Sequence, residues 1–119
     1  MSANSQNLSL RFEDVRFRAH IREHEQTTFI GYADATLVAP SVLPDGSDLK
    51  LRIRGIEVKL TSNGPRIDFK SEKGRDGSWY PVLFPKSAES RTALTVALLA
   101  DPTVRAVVDA HQERFAAQA

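Results

Sequence analysis

The sequence predicts an α+β domain, an antiparallel β-sheet of about five strands made from hairpins and followed by one or two C-terminal helices. Three observations predict it. Apolar and polar residues alternate with the period of a strand through most of the chain up to Phe84, turn pairs interrupt that alternation, and beyond Pro85 the apolar spacing becomes helical.

The first alternation is "VRFRAHIRE", with Val15, Phe17, Ala19 and Ile21 on one side and Arg16, Arg18, His20 and Arg22 on the other. "TTFIGYADATLV" is β-branched and aromatic, so it reads as the return strand of a hairpin. Residues 39–48 hold two prolines and Asp45-Gly46, which mark a loop. In "LKLRIRGIEVKL" the apolar residues change phase: Leu49, Leu51 and Ile53 are odd, whereas Ile56, Val58 and Leu60 are even. A continuous strand would then split its apolar side chains between two faces, so Gly55 is expected to carry a β-bulge or sharp bend, or else to separate two short strands.

Asn63-Gly64 predicts a tight turn of the type that needs positive φ at both central residues. Pro65 then opens "PRIDFK" at an edge or entry position, and Asp76-Gly77 leads back into "WYPVLF" with Tyr80, Val82 and Phe84 on one face. Ser87 is the expected cap of the first helix, with Glu89 in its first turn and Leu94, Ala97 and Leu98 on its apolar side. Asp101-Pro102 restarts a second helix whose stripe is Val104, Val107, Val108, His111 and Phe115. The expected organisation is a flexible tail over residues 1–9 and a single domain over 10–119.

Composition narrows the function classes. A chain of 119 residues with 41% hydrophobic and 26% charged residues suits one globular domain, and it has neither a secretory leader pattern nor an apolar run of membrane-spanning length. A cytoplasmic location is expected. Zero cysteines exclude disulfides and thiolate metal sites. His20 and His24 are four apart, but on a strand that spacing makes no metal site, and no cofactor or catalytic constellation is expected.

The net charge of +1 conceals a basic middle, since residues 50 to 91 hold ten basic and five acidic side chains. Lys50, Arg52 and Arg54 share one face of their strand. Arg66, Lys70, Lys73 and Arg75 follow, with Lys86 and Arg91 at the helix entrance and Trp79 and Tyr80 nearby for base stacking. Two readings of this charge stand side by side: a polyanion grip, or an ordinary solvated face neutralised in part by Glu57, Asp68, Glu72 and Asp76.

The stretch "IRGIEVKLTSNGPRIDFKSEKGRDGSWYPVLFPKSAESRTAL" resembles the core of the SpoVG (stage V sporulation protein G, septation protein) family of small bacterial regulators. The similarity rests on Ile56, Val58, Gly64, Ile67, Phe69, Ser71, Lys73, Asp76, Gly77, Val82, Pro85, Arg91 and Leu94. It places a SpoVG-like core at about 50–100 and a C-terminal helical extension at 102–117. The chain departs from the family at Lys70, where the family has proline, in the added loop 39–48, and at the Asp101-Pro102 break.

The resemblance implies a small, non-catalytic, usually homodimeric protein that binds DNA, and in some members RNA, and acts in gene expression, septation or sporulation. It implies nucleic-acid contacts at Lys73, Arg75 and Arg91. With the charge pattern, the expected contact set is Lys70, Lys73, Arg75, Lys86, Arg91, Arg66 and Trp79. The alternative is a protein–protein interaction module that uses a sheet edge or the apolar helix stripe.

Overall fold

Six strands and two helices follow one another in the expected order in this computed structural model, which describes residues 10–23 and 27–118, with side chains through residue 112. Strands β1 (Arg11–Glu23), β2 (Thr27–Ala39), β3 (Leu49–Thr61) and β4 (Gly64–Asp68) form one antiparallel sheet in that spatial order. Strands β5 (Ser71–Lys73) and β6 (Trp79–Pro81) form a separate two-stranded hairpin, so the strands number six in two sheets. Helices α1 (Ala88–Leu99) and α2 (Pro102–Gln118) close the chain. The fold class is α+β. The tail expected over residues 1–9, His24, and the side chain of Phe115 lie outside the described residues.

Directly opposed residues point to the same side of a sheet, so the register assigns the faces. Ala33 pairs with Ile56, Gly31 with Val58, and Val58 with Ile67, and these positions form the core with Leu98, Leu99, Val104 and Val108 of the helices. All four helical side chains are buried; Leu98, Val104 and Val108 belong to the predicted stripes, and Leu99, outside them, docks as well. Ser87 caps α1, its Oγ accepting from Ser90 N at 3.1 Å, and Asp101 caps α2 by accepting from Thr103 N and Val104 N. Among the described residues no helix is long and apolar enough to cross a membrane.

Gly55 carries the expected bulge. Ala33 pairs with Ile56 and Ala35 with Ile53, so Arg54 and Gly55 together oppose Asp34 alone. Gly55 takes φ +71°, and its N–H donates to Asp34 Oδ1 at 2.8 Å. The extra residue brings Ile53 back to the face of Ile56, Val58 and Leu60.

Three local expectations change. The tight turn is Ser62-Asn63, with Gly64 already paired to Thr61; Gly64 alone has positive φ, so the turn is not the type expected. Thr61 sets it instead, its Oγ1 accepting from Asn63 N and donating to Gly64 O. The alternation of β1 slips between Ala19 and Arg22, where His20 and Ile21 oppose one residue of β2, and Ile21 is left exposed. The "WYPVLF" strand stops at Pro81, which has no N–H for a ladder, and Val82, Leu83 and Phe84 are exposed.

A Cβ on residue 55 would meet nothing, so the requirement for glycine there is purely conformational. Gly55→Ala should therefore cost about 1–2 kcal/mol, the usual penalty of left-handed backbone, read as a lower urea midpoint with an unchanged m-value.

Candidate nucleic-acid interface

One face of the four-stranded sheet holds the core, and among the described residues the other carries no helix. Its rows follow from the register. One row runs Arg18, Tyr32, Glu57, Asp68 across all four strands, and the next runs Arg22, Phe29, Lys59, Arg66. Further along come Arg16 opposite Asp34, then Glu13, Thr36 and Arg52, then Arg11, Val38 and Lys50. These rows place eight cations and four carboxylates on one surface, a positive excess that the sequence total of +1 does not reveal.

Aromatic rings lie among these charges. Phe29 packs on Tyr32 with centroids 4.8 Å apart, His20 stands edge-on to Phe29, and the Arg22 guanidinium lies 4.7 Å above the Phe29 ring. Beside them, Arg18, Tyr32, Glu57, Lys70 and Trp79 line a groove of about 610 Å³ between the sheet and the β5–β6 hairpin. Trp79 is 67% exposed and the Arg18 side chain 69%. Lys73 pairs directly with Trp79 across the hairpin, so it flanks the same ring.

The residues expected from sequence divide into two groups. Lys70, Lys73 and Trp79 come together at the groove, with Arg75 exposed in the turn between β5 and β6 and Lys86 exposed before α1. Among the described residues Arg54, Lys70, Lys73, Arg75 and Lys86 form no ion pair. Arg66 and Arg91 instead converge on Asp68, with Arg91 Nη1 2.6 Å from Oδ1 and also donating to the Ile67 carbonyl at 3.1 Å. Arg91 therefore ties α1 to strand β4. Tyr80 is engaged too, its hydroxyl donating to Asp76 at 2.5 Å within the hairpin turn.

The ten cations between Lys50 and Arg91 thus do not form one continuous free surface. Lys50 pairs with Glu13, Arg52 with Asp14, Lys59 with Glu57 and Asp68, and Arg66 and Arg91 with Asp68. Sequence reasoning missed Arg18 and Tyr32 as members of the site. The polar side of the first strand was visible, but its alignment with Tyr32 depends on two bulges in the β1–β2 pairing.

Asp68 is the electrostatic hub. Burial raises its pKa, but hydrogen bonds from Arg91 and Lys59 and the charges of Lys59 and Arg66 outweigh this and hold the carboxyl below its ordinary 3.8. For Lys59, burial acts to lower the pKa, while Asp68 and Glu57 outweigh it and raise the ammonium above its ordinary 10.5. Compared with known proteins, the chain matches no family model and no curated protein.

A depressed carboxyl contributes stability that is complete above its unfolded value and is lost as pH falls through its folded value. Acid unfolding should accordingly steepen below about pH 4, near the ordinary aspartate value. Asp68→Asn should lose roughly 1.5–3 kcal/mol at pH 7 and show a shallower acid limb in urea titrations between pH 7 and pH 3. The Lys59 contribution has the opposite sense: it is present below the ordinary lysine value and lost as pH rises through the raised one.

Proposed function

We propose that this chain is a small, non-catalytic nucleic-acid-binding regulator of the SpoVG kind, acting in the cytoplasm as a homodimer. The observation that carries the reading is the groove, where Arg18 and Lys70 stand beside the rings of Tyr32 and Trp79 at the margin of a net-positive sheet face. On this reading the contact surface lies on the sheet and hairpin and not at the helix entrance, a choice supported by the engagement of Arg91 with Asp68. Lys70, Lys73 and Arg75 remain in the contact set, and Arg16, Arg18 and Arg22 join it. Cations of this kind neutralise phosphates and release condensed counterions, so affinity falls steeply with salt.

In fluorescence anisotropy with a labelled oligonucleotide, binding should be detectable at 50 mM salt and strongly weakened at 200 mM. The double variant Arg18→Ala, Lys70→Ala should weaken binding and reduce the log–log salt slope by roughly 0.7–0.9 per cation removed. Absence of binding at 50 mM salt would remove the reading.

A protein–protein interaction module linked to cell division or sporulation is the second reading, and it has an observation of its own. Val82, Leu83 and Phe84 are 62%, 48% and 54% exposed in consecutive positions just beyond β6. An isolated two-stranded hairpin is marginal in water, and a second copy of the chain seated on this run would cover the apolar side chains while bracing the hairpin. Sedimentation should give a dimer for the native chain and a monomer for Phe84→Asp; a native monomer at tens of micromolar would exclude this surface as a dimer contact.

A further inference from the structure

We infer that the groove takes single-stranded nucleic acid, with one unpaired base seated against Tyr32 and Trp79 and the flanking phosphates passing Arg18 and Lys70. The inference rests on the nucleic-acid reading above and makes it specific. Tyr32 projects from the centre of the sheet and Trp79 from the hairpin, and both line the same groove. Among the described residues the two rings do not stack on each other; Tyr32 packs with Phe29 and His20, and Trp79 has no aromatic partner. An exposed Trp79 ring that packs on no other aromatic ring among the described residues, lining with Tyr32 one groove bordered by cations, matches a base together with its backbone and not a phosphate alone.

The strandedness follows from what each form offers. In a duplex the base faces are covered by their neighbours, and only edges and phosphates reach a protein; in a single strand the faces are open to aromatic side chains. Recognition of a duplex by a helix entrance would need Arg91 free, and it is held by Asp68 and the Ile67 carbonyl.

The cations of the groove are available. Among the described residues Arg18 forms one ion pair, with Asp34 at 3.9 Å, and Lys70 forms none. Among the described residues Glu57 is the one carboxylate lining the groove, and Lys59, 3.3 Å away, offsets its charge. It leaves an acceptor beside the base and does not bar the backbone.

Trp79 is the only tryptophan, so its emission reports directly on the site. The full-length chain would be titrated at 50 mM salt with a 12-nucleotide strand, as DNA and as RNA, with the same strand annealed to its complement, and with inorganic polyphosphate. The expected result is at least tenfold tighter binding of the single strand than of the duplex, with quenched tryptophan emission. Polyphosphate should leave the emission unchanged.

Trp79→Ala alters an exposed side chain, so the fold should survive, and it should weaken single-strand binding about 5- to 150-fold. Trp79→Phe should retain most of the affinity, and Tyr32→Leu should lose a similar factor to Trp79→Ala. Equal affinity for the duplex, equal quenching by polyphosphate, or unchanged affinity in Trp79→Ala would overturn the stacking site while leaving nucleic-acid binding intact. Failure of every oligonucleotide to bind would overturn both.

Discussion

Side chains on a strand alternate between faces, and β3 keeps its apolar residues together only because Gly55 absorbs one extra position opposite Asp34. Without that insertion, either Ile53 or the trio Ile56, Val58 and Leu60 would turn away from the helices. The same insertion decides which charged residues share the other face. Glu57 and Lys59 lie beyond it and enter rows with Tyr32 and Phe29, while Arg52 and Lys50 lie before it and meet Glu13 and Asp14 of β1. One glycine and one aspartate thus organise both the core and the charged surface behind it.

A second constraint operates at the far side of the sheet. Asp68 accepts from Lys59, Arg66 and Arg91, residues of two strands and a helix, and the Ile67 carbonyl next to it receives Arg91 as well. Because the carboxylate is partly withdrawn from water, these contacts are stronger than exposed surface pairs. They fix how α1 lies along β4. They also remove Arg66, Lys59 and Arg91 from the pool of free cations, which leaves the electropositive character to β1 and the hairpin.

Much of the architecture was legible from residues. The Ser87 and Asp101 caps and the stripe of Val104 and Val108 appear as read, and of the two meanings open to the phase change around Gly55 the bulge is the one adopted. The turn at residues 62–63 was misjudged by one position because the Thr61 hydroxyl, and not backbone propensity at Asn63, sets its geometry. The surface was harder. Whether Lys59 or Arg91 is free depends on a carboxylate distant in sequence, and whether Arg18 stands beside Tyr32 depends on strand register. Charge composition carries neither.

The clamp on β4 has a further result. An outermost strand normally displays a row of unpaired amides and carbonyls, a template on which another chain can add itself. Here Pro65 offers no donor, the strand is only five residues long, and the Ile67 oxygen already receives a guanidinium. The contact that orders the helix thus also hinders strand addition at this edge of the sheet.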